Sequence, residues 1–167
     1  IGKSLLEVFV KNGANVWACV RFINEDFKNY TAKAAEKYNV TITPVSFDLT
    51  NEIQVKEGIK TIRSAKQPVD ILVNNAGVIF TALFQMTPVN KMKEVFETNY
   101  FSQMLLTQSI VKIMTRQNSG SIVNISSSAA IEGNEGRTAY AASKAAMIAS
   151  TKVMARELAS YNIRVNS

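Results

Sequence analysis

The residues best suited to chemistry are Tyr140 and Lys144 in Tyr140-Ala-Ala-Ser-Lys144, with Ser127 thirteen residues upstream of the tyrosine. Helix positions four apart lie one above the other on the same face, so this spacing sets a phenol beside an ammonium. A free phenol, with a pKa of about 10, is a poor proton donor or base at neutral pH. A neighbouring cation favours its ionised form and suits it to general acid–base work. Ser127 follows the apolar strand pattern Ser121–Ser126, where its hydroxyl could orient a substrate oxygen toward the phenol. Ser126 and Ser128 compete for that role; the spacing to Tyr140 favours Ser127, and the neighbours read as local caps or packing residues. Such chemistry needs no metal and no histidine, and the chain contains no histidine.

Positioning these groups falls to an alternating series of elements. Residues 3–12 read as a helix, followed by a turn at Gly13 and a strand over Val16–Val20. Residues 25–38 carry Phe27, Tyr30, Ala34 and Tyr38 at helical spacing. Val40–Phe47 reads as a strand in which Pro44 implies a bulge or an edge. A helix over 51–65 is predicted to start at a Thr50 cap, and Asp70–Asn74 forms a short buried strand. Thr87-Pro88 reads as a cap followed by proline at the first helical position, opening a long helix to about Arg116. The strand 121–126, a helix over 138–160 and a strand from Ile163 complete the series. Strands alternating with helices predict an α/β fold: a doubly wound, mostly parallel sheet with helices on both faces, in one domain over 1–167. In such sheets ligands bind beyond the strand carboxyl ends, where Asp48, Asn74-Asn75 and Ser126–Ser128 fall.

Composition narrows the class. The chain has 167 residues, 47% hydrophobic and 19% charged, which is globular and carries no signature of disorder. No apolar run approaches the roughly 20 residues of a membrane span, and no cleavable signal peptide is visible at the start. The single cysteine, Cys19, forbids an internal disulfide and fits a reducing compartment, the cytoplasm. The formal charge of +6 is spread along helices rather than clustered with aromatics. That argues against nucleic-acid binding and suits an anionic cofactor or an acidic carrier protein.

Taken together and in order, Ile1-Gly2, Asp48-Leu49, Asn74-Asn75-Ala76-Gly77, Asn99, Ile125-Ser126-Ser127 and Tyr140-xxx-Lys144 resemble the short-chain dehydrogenase/reductase family. Within it they are most similar to bacterial 3-oxoacyl-[acyl-carrier-protein] reductases. The resemblance covers essentially the whole chain and implies a Rossmann-like fold. It implies that Tyr140 protonates a substrate carbonyl oxygen as hydride arrives from a nicotinamide, and that Ser127 hydrogen-bonds that oxygen. Lys144 would lower the phenol pKa and bind the nicotinamide ribose, and Asn99 would hold a water linking Lys144 to solvent. The substrate would be a small or carrier-bound carbonyl compound. The family also commonly packs the Asn99 and Tyr140 helices against a partner subunit, implying a homodimer or homotetramer.

The cofactor side has physical support of its own. Gly2 at a helix start lets a pyrophosphate approach the backbone, and the helix N-terminus stabilises its charge. Asn75, Ala76 and Gly77 follow a strand with residues tolerant of unusual backbone angles, allowing a tight turn beneath a cofactor. Asp48, with Leu49 beside it, could accept a hydrogen bond from an adenine amino group, or serve as a turn or capping residue before Thr50. Where folds that prefer NAD(H) place a carboxylate, this chain has Arg21, whose guanidinium can pair bidentately with a 2′-phosphate. NADP(H) is therefore expected ahead of NAD(H).

The resemblance also places a first strand, most of the pyrophosphate loop and a C-terminal substrate lid outside residues 1–167. The expectation is that residues 1–167 are part of a longer protein. Alone, such a piece is expected to be unstable and catalytically inactive. Two other readings stand beside the reductase: a dehydrogenase of sugars, steroids or other secondary alcohols, and a non-catalytic nucleotide-binding fragment. Retention of Asn99, Ser127, Tyr140 and Lys144 counts against the last.

Overall fold

Hydrophobic spacing and capping residues divide the chain into seven α-helices and five strands, and a computed structural model describes all of residues 1–167. Chain contacts group these elements into two compact units, Ile1–Lys66 and Gln67–Ser167.

In the first unit, α1 (Gly2–Lys11) buries Leu6 and Val10, four residues apart on one stripe. Strand β1 (Val16–Val20) pairs in parallel with β2 (Ile42–Ser46). The intervening α2 (Glu25–Tyr38) begins where the Asn24 side chain accepts from the Phe27 amide, and ends at Asn39 in the left-handed conformation. Pro44, opposite Ala18, lies on a strand with a single partner, in keeping with the expected edge position. Helix α3 (Glu52–Ser64) is capped by Asn51, whose side chain accepts from the Ile53 and Gln54 amides. Thr50 is therefore not its cap; its hydroxyl and amide both donate to Asp48 instead.

The second unit holds a three-stranded parallel sheet in the order β3 (Ile71–Asn74), β4 (Gly120–Asn124), β5 (Ile163–Asn166). The chain passes from β3 to β4 through α4 (Val89–Phe96), a π-helical turn (Glu97–Phe101) and α5 (Ser102–Gln117). It passes from β4 to β5 through a single turn, α6 (Ala129–Glu132), and the long α7 (Thr138–Glu157). Ile110, Met114, Ile122 and Met147 form the centre of its core. Three expectations need correction here. The helix opening near Thr87 is broken by the π turn. Pro88 stands at the N-cap of α4 rather than inside it, and the Thr87 hydroxyl donates to the Ala82 and Leu83 carbonyls. Strand β4 stops at Asn124, although the Ile125 amide still donates to the Asn74 carbonyl.

Every strand pairing is parallel, as the alternation implied. Hydrogen bonding nevertheless divides the strands into two sheets, because β1 and β3 each have a partner on one edge alone. No helix is long and apolar enough to cross a membrane.

Candidate active site

In the second unit the chemistry gathers where β3 and β4 end, in register at Asn74 and Asn124. Tyr140 and Lys144 lie on α7, the tyrosine half-buried and the lysine 3% exposed. The Lys144 ammonium donates to the Ile125 carbonyl at 2.6 Å, just past the end of β4. Burial pulls its pKa below the usual lysine value of 10.5, since a charge held away from water favours the neutral form. Ser126 donates to the Lys144 carbonyl at 3.1 Å, a packing role of the kind expected for that serine. The Ser127 hydroxyl accepts the Ala129 amide at 3.2 Å and so keeps its own proton available to donate. Ser128 caps α6 without a side-chain hydrogen bond.

Asn99 sits within the π turn and is fully buried. Its Oδ1 accepts the Val78 amide at 2.8 Å, and its Nδ2 donates to the Val78 carbonyl at 2.9 Å and to Ser143 Oγ at 3.1 Å. Both amide hydrogens are thus engaged within the protein, so any water held at Asn99 must be met by a carbonyl oxygen. The Ser143 hydroxyl in turn donates to the Tyr140 carbonyl at 2.7 Å, linking the π turn to the first turn of α7. Gly77 completes the cluster. A Cβ there would lie 3.3 Å from Asn99 Oδ1 and 3.6 Å from Lys144 Nζ. The expectation that this glycine serves an unusual backbone angle is corrected: it is absent from the positive-φ positions, and what favours it is the tight space beside Asn99 Oδ1. Asn75 is half-buried and Ala76 exposed, on the same segment. Next to it, Gly136, with φ of 70°, accepts the Ala82 amide at 3.0 Å and pins the 78–83 loop beside the approach to α7.

Several positioning groups were missed from sequence. Gln103, 1% exposed on α5, donates from Nε2 to the Ala76 carbonyl at 2.6 Å and to the Thr98 carbonyl at 3.2 Å. Beneath the strand ends, Asn74 Nδ2 donates to Thr107 Oγ1 and Asn124 Oδ1, and Asn124 Nδ2 to Thr151 Oγ1, each at 2.8 Å. Polar residues at otherwise apolar helix positions, Gln103, Thr107 and Thr151, were the available signal.

In the first unit Gly2 is the first helical residue of α1, a turn that carries no acidic side chain. Arg21 follows β1, and its Nε lies 3.4 Å from Asp48 Oδ2, with the arginine side chain 55% exposed. Asp48 is held below its ordinary pKa mainly by the hydrogen bonds from the Thr50 hydroxyl and amide, with Arg21 adding a smaller effect. It is therefore a turn residue in this structure, and one that stays ionised. Leu49 beside it is half-buried. Each unit by itself carries a feature that suits part of a nicotinamide dinucleotide. In the first, an exposed guanidinium retains Nη groups for a phosphate. In the second, a Cβ at Gly77 would stand 3.3 Å from Asn99 Oδ1, so the surface there is bare of a side chain where space is tight.

Comparisons with known proteins bear on the family and the fold. Over all 167 residues the chain is 38% identical to a 3-oxoacyl-[acyl-carrier-protein] reductase, FabG, of Thermotoga maritima, covering 67% of that protein. It is 32% identical over 167 residues to an NAD-dependent glycerol dehydrogenase of Listeria innocua, covering 64% of it. A crystal structure of a short-chain dehydrogenase from Streptomyces avermitilis superposes with a TM-score of 0.87 at 28% identity, over 98% of this chain and 59% of the other. The chain thus spans about two thirds of the length of these relatives or somewhat less. A family model described as short chain dehydrogenase matches residues 1–167, and with the Rossmann-like fold and the Tyr140–Lys144 helix it follows that the chain belongs to that family.

Proposed function

We propose that this protein reduces a carbonyl to a secondary alcohol with NADPH, with a 3-oxoacyl thioester on an acidic carrier protein as substrate, and that residues 1–167 supply its dinucleotide-binding domain. The observation that carries this reading is the packing of Gly77, Asn99 and Lys144 against one another, with Tyr140 one helical turn from the lysine. Bound dinucleotide supplies the hydride. Tyr140 donates the proton to the developing alkoxide, and Ser127, whose hydroxyl proton is uncommitted, holds the same oxygen in line. Lys144 engages Ile125 with one of its three ammonium hydrogens and offers the others to the ribose hydroxyls. Asn99 fixes the Gly77–Val78 backbone. A water that reprotonates the site would be met by a π-turn carbonyl, since π turns leave such groups without regular helix partners. Asn75 and Ala76 would line the nicotinamide side; Gly2, Asp48 and Leu49 would receive the pyrophosphate and adenine, and Arg21 the 2′-phosphate.

An NAD(H)-linked dehydrogenase of small secondary alcohols is the second reading, supported by the glycerol dehydrogenase relative. Arg21 favours the first. The exposed Ile131 and Val153, beside Ala145 and Ala149, support self-association through α7 as a homodimer or homotetramer. A cytoplasmic location belongs to the same proposal.

Tyr140→Phe tests the mechanism. NADPH consumption with an acetoacetyl thioester is expected to vanish while NADPH binding stays nearly unchanged; retained turnover would refute the role of the phenol.

A further inference from the structure

Gln103 is a buried polar group for which the reaction has no direct use. Its Nε2 faces two carbonyl oxygens, those of Ala76 and Thr98. The opposite amide orientation would set oxygen against oxygen, so the donor must lie on this side. Oε1 is consequently left buried without a partner. A leucine or valine would fill the same space without an orphaned acceptor, so the Nε2 contacts are what a carboxamide adds at this position. Those contacts join two particular places. Thr98 lies in the π turn, and Ala76 lies between Asn75 and Gly77. Asn99, four residues earlier and within the π turn itself, grips Val78 on the far side of the glycine. The segment crossing Gly77 is thereby held at both ends from one helix.

We propose that Gln103 is a positioning residue for dinucleotide binding: it ties the Ala76 carbonyl to the π turn and so sets the path of Asn75–Gly77, without itself touching the cofactor. This rests on the reading of Asn75, Ala76 and Gly77 as cofactor-binding residues. Loss of the tether frees the loop before Gly77 and weakens dinucleotide affinity more than it slows a saturated enzyme.

Two variants of the full chain test it. Gln103→Met keeps length and apolar packing and removes the donor. Gln103→Glu can donate to Ala76 when protonated, and opposes both carbonyls when ionised. Hydrogen exchange of the 75–80 backbone without cofactor is measured beside NADPH binding by calorimetry, at mildly acidic and at alkaline pH. Lys144, close to Gly77, and Glu97, in the π turn and bonded to Ser102 beside Gln103, are charged groups on the elements packed here, and the unsubstituted chain controls for both. The expected result for Gln103→Met is faster exchange over 75–80 and NADPH affinity about tenfold weaker, with a much smaller fall in kcat. Gln103→Glu is expected to approach the unsubstituted affinity and exchange at acidic pH and to lose both at alkaline pH. Unchanged exchange and affinity in Gln103→Met, or a Gln103→Glu variant indifferent to pH, would overturn the proposal. Failure of the unsubstituted chain to bind NADPH would overturn the cofactor reading and the affinity clause with it, while exchange alone would still decide whether Gln103 tethers the segment.

Discussion

Lys144 carries an ammonium into a place where one carbonyl, that of Ile125, lies within bonding distance, and burial lowers its pKa in consequence. The residue is costly to the fold, and a buried ionisable group with a displaced pKa is commonly found where chemistry is done, in keeping with the role proposed for it. Arg21 is the opposite kind of residue: exposed, paired loosely with Asp48, and free to turn its remaining donors outward. Surface ion pairs of this kind contribute about 1 kcal/mol at most, so Arg21 can be exchanged without threatening the fold. Arg21→Asp is expected to raise the KM for NADPH by about tenfold or more and to improve use of NADH. Charge repulsion from the 2′-phosphate replaces a bidentate pairing. Steady-state kinetics with the two cofactors check this, and an unchanged preference would show that Arg21 does not read the phosphate.

The elements that matter are the π turn and the ends of β3 and β4. One extra residue in the π turn interrupts what the apolar pattern presents as one helix, and there the Asn99 side chain reaches Val78. No periodicity announces such a turn, because flanking helical turns keep their own spacing on either side. The strand ends are held from below by the Thr107–Asn74–Asn124–Thr151 chain, which joins α5, β3, β4 and α7. Buried amide networks are stable when their members are satisfied and costly when one is removed. Asn124→Leu strands one of the two Nδ2 hydrogens of Asn74, the other still donating to Thr107, and leaves Thr151 without its amide partner. It is expected to destabilise the protein by about 2–4 kcal/mol in urea denaturation and to lower activity through displaced strand ends.

At the scale of the molecule, buried and hydrogen-bonded ionisable groups couple stability to pH. Between the depressed pKa of folded Lys144 and its usual value of 10.5, the unfolded chain binds more protons than the folded one. Stability is therefore expected to rise with pH through that alkaline window, and the rise to be absent in Lys144→Met. Asp48 gives a slope of the same sign in the acid range. Its pKa is lowered from 3.8, so its small contribution is present at neutral pH and lost as acid protonates it below that value. Thermal melts across pH on the two chains measure both effects. The same scale carries the division into a two-stranded and a three-stranded sheet.

The alternation of strand and helix was legible because a helix buried on one face writes a period of 3.6 into the chain while a parallel strand reads as a short continuous apolar run, and α2 and β1 lie where those patterns place them. Tyr140, Lys144 and Ser127 stood out for a related reason: their chemistry resides in residue type and in spacing along one helix and one strand end. Tertiary structure alone decided that Asn51 rather than Thr50 caps α3, that Asn99 directs its amide into the protein, and that a side chain at Gly77 would crowd Asn99. It alone joined Gln103 to Ala76 across 27 residues of chain. Hydrogen-bond partners distant in sequence leave no periodic trace, because geometry selects them only after the core has packed.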